Sequence, residues 1–435
     1  MKRSLMFVVS ALALLISACS QPENLQTPQL EPQFGTKGGD SVEDVAYGQA
    51  GMLYVIGLWD SENVGLYPSS TTIQDAFLRR YDRSGNLVWE TFFDVEPAYS
   101  DTSYVARLTA KAVAVDKSGN AIVAWSSTYA TLVYDEANNR SLYEVAATFN
   151  YLSKYSPDGT RVWRVYTAPD TANLSNAVND IALDSLGAIY TVSNSTLTKY
   201  SSSGTRSWVR TVAANDYPYA TGVSVSSANN IYLVRGDGEV MKYSSGGTRL
   251  WVKSAALDGY DAGPYKIAAG LSDEVYVTGA YFDGYSESCD AGLTFYYYTM
   301  RAYKLSKDGA RLWQKNVANG SIVEGQDCSA DYFTALSGDP SLTADTLGNV
   351  YIAGFQDGSG GQDGFVAKYS RAGVLAWKKG FGTARDDTAR GVATYDGSEV
   401  FVGGVTEGYL VHRPQAGGDA FMREVNSRGE KVWAH

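Results

Sequence analysis

The chain is poor in the residues that most catalytic and metal centres draw on. Its 435 residues include two histidines, His412 and His435, and three cysteines, Cys19, Cys289 and Cys328. A His-based triad or metal cluster is hard to assemble from so few, and His412 stands alone in GYLVHRPQ. No HExxH, CxxC, GxSxG or phosphate-loop motif occurs, so neither a metal nor a cofactor is expected. Acid pairs of the glycosidase type stay open, because the sequence does not give their separation. Positive charge is also in deficit. Lys and Arg number 36 against 47 Asp and Glu, a net charge of −11, and no basic stripe or polybasic run is visible. Nucleic acid is therefore not an expected partner.

What the chain has in quantity is one phrase, an apolar or aromatic residue followed by Gly four residues on and Trp four residues after that. It reads YDRSGNLVW (Tyr81, Gly85, Trp89), YSPDGTRVW (Gly159, Trp163), YSSSGTRSW (Gly204, Trp208) and YSSGGTRLW (Gly247, Trp251). It returns as LSKDGARLW (Gly309, Trp313), YSRAGVLAW (Gly373, Trp377) and VNSRGEKVW (Gly429, Trp433). Seven of the nine tryptophans thus share one position, at a spacing of roughly 57 residues. Upstream of each phrase lie short Val-, Ile- and Tyr-rich runs separated by Gly, Asn, Asp or Ser, the pattern of antiparallel hairpins. The reading is an all-β, seven-bladed β-propeller of four-stranded antiparallel blades over residues 34–435. The Gly supplies a positive-φ turn and the Trp docks on the neighbouring blade. How blades one and seven close is left open.

Blades three and four are minimal, with second and third strands joined by little more than SNS and RGDG. At the same junction the others carry inserts such as STYATLVYDEANNRSLYEV and FDGYSESCDAGLTFYYY. Turns alternate between the two ends of an antiparallel meander, so the inserts and the blade-to-blade connections crowd one face, a crown, and leave the other trimmed. Loops on a rigid scaffold are where binding is expected. Within the crown, Tyr285, Tyr296 and Tyr298 of the blade-five insert, and Asp327 and Tyr332 of the following connection, are the candidate binding residues. Tyr296 and Tyr298 are expected to line one face of an exposed arm. FGTKGGD and FGTARDD place Asp40 and Asp387 alike, as turn caps rather than calcium ligands, since no dense oxygen-ligand spacing accompanies either.

Residues 1–18 have a basic start, an apolar stretch from Leu5 to Ile16 that is shorter than the about 20 residues needed to span a bilayer, and then Ile16, Ser17, Ala18, Cys19. This resembles a bacterial lipoprotein signal peptide whose lipobox marks Cys19 for lipidation. Residues 19–33, rich in Pro and Gln, read as a tether. The resemblance implies a cell-envelope address, anchored to the outer membrane because Ser20 follows the Cys, with membrane association through the acyl chains alone. Cys289 and Cys328 remain, both on the crown of an oxidising compartment, and are expected to form a disulfide.

The first and last repeats, FGTKGGDSVEDVAYGQAGMLYVIGLW…DAFLRRYDRSGNLVW and FGTARDDTARGVATYDGSEVFVGGVTEG…GGDAFMREVNSRGEKVW, resemble the bacterial SBBP beta-propeller repeat family. The middle repeats lack its FGT and DAF elements. That resemblance implies the fold and an envelope setting but no defined activity. The expected function is a non-catalytic binding or scaffold module that engages an envelope protein through the crown. A carbohydrate-binding or carbohydrate-active protein using crown Tyr and Asp is the alternative.

Overall fold

A computed structural model describes residues 33–34, 39–48, 51–59, 72–94, 105–135, 140–167, 177–213, 219–254, 261–288, 293–325, 340–358, 361–407 and 418–434. These build seven four-stranded antiparallel blades in chain order around a ring. Blade three shows the unit at its smallest: Val178–Leu183 innermost, then Ile189–Ser193, Thr196–Tyr200 and, outermost, Arg206–Thr211. A 3₁₀ turn spans Leu271–Asp273, and no α-helix occurs among the described residues.

The recurring phrase is the docking device between blades. Each of its glycines, from Gly85 to Gly429, sits at a φ between 74° and 89°. In blades one, two, four, five and six the Trp indole donates to a carbonyl in the Gly turn of the next blade, while in blade three Arg210 Nε does so, to Gly247 O at 2.9 Å. Trp89 Nε1 reaches Pro157 O at 2.9 Å, Trp251 reaches Lys307 O at 3.0 Å and Trp377 reaches Ser427 O at 2.9 Å. A Cβ on Gly159, Gly204 or Gly373 would stand 3.0–3.2 Å from the preceding blade's indole. The glycine therefore serves the packing as well as the turn.

A second repeat runs beside the first. Tyr54, Tyr190, Tyr232, Tyr276 and Tyr351, on the second strands, are fully buried and lie 5.8–6.1 Å from the Trp of their own blade. Each hydroxyl is satisfied in a turn, as where Tyr54 donates to Gly119 O (2.7 Å) and Tyr351 to Asp345 Oδ2 (3.0 Å). Lys199, Lys242, Lys304 and Lys368 hold their ammonium groups 5.0–5.4 Å over four of these rings. Three of them also donate to the next blade's turn, Lys199 to Ser245 O at 3.3 Å, and Lys242 and Lys304 to Lys307 O and Arg371 O, both at 3.0 Å.

Inner strands carry bulges that break their ladders, at Val42/Asp44, Val178/Asp180, Ala220/Gly222 and Ala389/Gly391 among others. On the inner edge of these strands, which has no strand partner there, a backbone N–H is taken by a side chain of the preceding blade. Val113 N donates to Asp44 Oδ2 (2.9 Å), Val223 N to Asp180 Oδ2 (2.9 Å), Ala269 N to Ser224 Oγ (2.9 Å) and Val392 N to Ser341 Oγ (3.0 Å). Polar clasps thus link neighbouring blades around the central channel, as buried donors require.

Ring closure, open at the sequence level, uses both ends of the chain. On the outer side of Asp419–Asn426, residues 423–425 pair with the C-terminal strand Lys431–Ala434, while Ala420 and Phe421 pair with Phe34 and Gln33. The outer strand of blade seven is therefore made of two pieces, and the N-terminal piece goes on to become blade one.

Candidate functional site

The two ends of the ring differ in how far their strands run. At the trimmed end, tight turns repeat almost atom for atom. In each, a residue such as Asp116, Asp184 or Asp345 accepts from the backbone N–H groups two and four residues on, at 2.8–2.9 Å. A cavity of about 560 Å³ opens there between the turns of blades two, three and four, lined by Asp116, Lys154, Asp184, Leu186 and Ser226. Its charged groups are already committed: Lys154 pairs with Asp116 at 2.8 Å, and the Asp184 carboxylate closes its turn while accepting from the Tyr190 hydroxyl. The cavity is a by-product of the repeat, and the functional candidate lies at the other end.

At the crown, blades two and five overrun the ring. Blade two extends through Ala121–Asp135 and Arg140–Tyr155, and blade five through Val275–Ser288, Leu293–Leu305 and Arg311–Gly325. Blades three and four, which lie between them, have strands of five or six residues. Two arms thus flank a low saddle beside the channel mouth.

Both arms are braced at their bases. In blade two, Trp125 is stacked between Phe93 (4.8 Å) and Tyr151 (4.1 Å) and donates to Ser153 Oγ at 2.9 Å. The inner strand Val105–Val115 also pairs in parallel with Thr72–Tyr81 of blade one, joining the two blades in one sheet. In blade five the Arg301 guanidinium lies 3.8 Å over the Tyr281 ring, and Thr299 Oγ1 donates to Asp283 at 2.5 Å. Ser321 N donates to Asp357 of blade six at 2.7 Å, so the arm leans on its neighbour.

The sequence-level candidates fall unevenly on this frame. Tyr285 is 60% exposed on the arm, directly opposite Tyr296 in the ladder. Of Tyr296 only the backbone position is described. Tyr298 is a correction: it is 5% exposed and presents no binding surface, because the ladder opposes it to Gly320, whose face packs on Phe355 of blade six. Its neighbour Tyr297, opposite Gly284, is the exposed residue at 45%, and strand alternation puts it on the other face of the arm from Tyr285. Cys19, Cys289, Cys328, Asp327, Tyr332 and His412 lie outside the described residues. Asp387 closes its own turn, accepting from Thr383 N at 2.6 Å and Thr383 Oγ1 at 3.0 Å, and burial raises its carboxyl above the usual range. Among the described residues no three His, Cys, Asp or Glu gather in a way that would hold a metal ion.

Titratable groups of the channel wall went unnoticed in the sequence. Burial pushes Asp44 up to about 7 and raises Asp180, while the Lys266 charge opposes both shifts. No spacing rule signals them, since the same position is an Asp in blades one and three, Gly222 in blade four and Ser341 in blade six.

No family model matches the chain, and no curated protein does either. Solved structures do. A streptogramin B lyase is similar over 91% of this chain and 97% of its own, at 10% identity and a TM-score of 0.50. A catalytically inactive virginiamycin B lyase of Staphylococcus aureus, carrying a histidine-to-alanine change and solved with quinupristin, is similar over 90% and 97%, again at 10% identity and 0.50. At such identity the likeness bears on architecture, and there it agrees with the ring of blades: the chain has the fold of a seven-bladed β-propeller.

Proposed function

We propose that this chain is a lipid-anchored protein of the bacterial cell envelope that binds another envelope protein through its crown, without catalysing a reaction. The supporting observation is the contrast between the ends. At one, turns and indoles are consumed by blade docking; at the other, two braced arms stand above a saddle and hold Tyr285 and Tyr297 in solvent. Exposed tyrosines on rigid strands offer large contact area at low entropic cost, as binding anchors require. The SBBP-like repeats and the lipobox support the envelope setting. The activity of the streptogramin lyases is not carried over: in the virginiamycin lyase the loss of one histidine goes with inactivity, and the described residues of this chain include no histidine.

A photo-crosslinking residue placed at Tyr285 in the cell-anchored protein is expected to capture a defined protein partner, while the same residue at Leu186 of the trimmed end captures none. Equal capture from both positions would end the crown reading. Saturable binding to a glycan array without a protein adduct would replace it with the carbohydrate alternative. For the anchor, Cys19→Ala is expected to leave unprocessed, unacylated precursor; a variant that matures to normal size and stays with membranes refutes the lipobox.

A further inference from the structure

A basic band is hidden in the repeat. The outer strand of each blade begins at the Gly turn, carries the docking Trp inward and lies at the rim of the ring, although two of its cations, Arg164 and Lys378, fold back over Tyr151 and Phe365. Counted over the six residues that open each strand, two cations fall in every blade from two to six: Arg161 and Arg164, Arg206 and Arg210, Arg249 and Lys253, Arg311 and Lys315, and Lys378 and Lys379. Lys431 adds one in blade seven, and the only acid is Glu90 of blade one. In a chain of net charge −11 this is a marked segregation of charge. Aliphatic side chains alternate with the cations. Leu312, Val374, Leu375 and Val432, on blades five to seven, are each about half exposed or more. No stripe is visible along the sequence, because cations some 50 residues apart come together only when the ring closes.

We infer that the arc of this rim on blades five to seven rests on the surface of an anionic lipid bilayer. The choice of arc comes from the path of the chain. Gln33 and Phe34 complete the outer edge of blade seven beside Lys431–Ala434, so the described chain begins at the rim of the ring and not at either end, and 13 residues separate Gln33 from Cys19 in sequence. A chain anchored at Cys19 is held with that edge towards the membrane, within reach of roughly 40 Å at about 3.1 Å per residue. Going round from the exit point, blades seven, six and five offer Lys431, Lys379, Lys315 and Arg311, whereas blade one offers Glu90; Lys378 turns inward, donating to Val317 O at 2.8 Å. Cations with interspersed aliphatics suit an anionic headgroup layer, and one acyl anchor is reinforced by such a second signal. Edge-on seating leaves the crown arms pointing along the membrane plane, accessible to a partner held in the same membrane. The inference rests on the anchor reading.

The test uses protein purified from membranes after expression of the full chain and reconstituted in phosphatidylcholine vesicles with and without phosphatidylglycerol. Lysine acylation followed by mass spectrometry reads Lys379 and Lys431, with Lys253 on the far side of the ring as reference. Labelling of Lys379 and Lys431 should slow roughly threefold or more on the anionic vesicles, with Lys253 unchanged, and recover at high salt. Lys379→Glu with Lys431→Glu should abolish protection at a neighbouring site, Lys315, while the melting temperature stays the same. Uniform labelling on a chain whose N-terminal peptide carries the acyl groups overturns the rim and leaves the anchor standing. An unmodified Cys19 with rim protection retained does the reverse. Protection by heparin but not by the vesicles assigns the band to an anionic polymer and overturns the proposal.

Discussion

The trimmed end and the crown are built on the same strands, yet they follow opposite rules. At the trimmed end nearly every polar atom is used. A Trp donates to the next turn, a Tyr hydroxyl and an Asp carboxylate close their own, and a Lys bridges two blades. At the crown the strands vary from five residues in Ile231–Arg235 to sixteen in Arg140–Tyr155, and large rings stand in water. The difference separates residues that hold the ring from residues that face solvent. Repetition marks the first group, since each blade contacts its neighbours in the same way, while departure from the repeat marks the second.

Loss of a repeated residue should cost the ring most. Tyr351 is fully buried in the cluster shared by blades six and seven, with its ring 6.1 Å from Trp377. Tyr351→Ala is expected to cost about 3–5 kcal/mol in urea unfolding, and Tyr351→Phe about 1–2 kcal/mol through the lost bond to Asp345. A loss below about 1 kcal/mol for the alanine variant would show that blade docking does not depend on this ring.

A paired glycine test separates turn strain from docking. Gly373 and Gly187 share a φ near 80°, but a Cβ at Gly373 meets the Trp313 ring at 3.0 Å while one at Gly187 finds nothing nearer than 3.6 Å. Gly187→Ala should cost about 1–2 kcal/mol for the left-handed backbone alone. Gly373→Ala should cost about 2–4 kcal/mol, because the indole must also move. Equal losses would mean that the indole gives way freely.

How much of this was open to the sequence follows from the same contrast. The Gly/Trp phrase was legible because docking demands one spacing in all seven blades, and it carried the fold. The second-strand tyrosines had equal regularity but passed as ordinary β-formers, and only their burial gives them away. Blade closure was not legible, because the pairing of Gln33 and Phe34 with Phe421 and Ala420 joins residues nearly the whole chain apart. The face of Tyr298 was misjudged because alternation gives relative sides and not which side a neighbouring blade covers. The clasps were invisible because Asp and Ser interchange at one geometric position.

Those clasps predict an unusual pH response. The Asp44 carboxyl, held near 7 when folded and near 4 when unfolded, binds a proton in the folded state alone between those values. Its contribution is therefore complete below about pH 4 and lost as pH rises towards 7. The ceiling is about 4 kcal/mol, cut to about half for a residue only partly removed from water. Urea midpoints measured from pH 4 to 8 should show this downward slope, flattened in Asp44→Asn. A slope unchanged in the variant would place the titration elsewhere.

The smallest expected effect on stability belongs to the crown, and there the comparison is tested from its other side. Tyr285 and Tyr297 expose about half or more of their surface, and the Cβ direction of Gly284, which lies opposite Tyr297, meets nothing within 4 Å. Truncating either ring removes little buried area, so Tyr285→Ala and Tyr297→Ala should each shift unfolding by less than about 0.5 kcal/mol. The arm keeps its pose through Arg301 over Tyr281 and through Ser321 on Asp357, neither of which these changes touch. Partner capture at the crown should nevertheless fall strongly in the double variant, because exposed aromatic anchors carry most of the energy of an interface they belong to. A double variant destabilised by more than about 1 kcal/mol would assign the tyrosines to the packing of the arm, and one that keeps full stability and full capture would move the binding surface away from blade five.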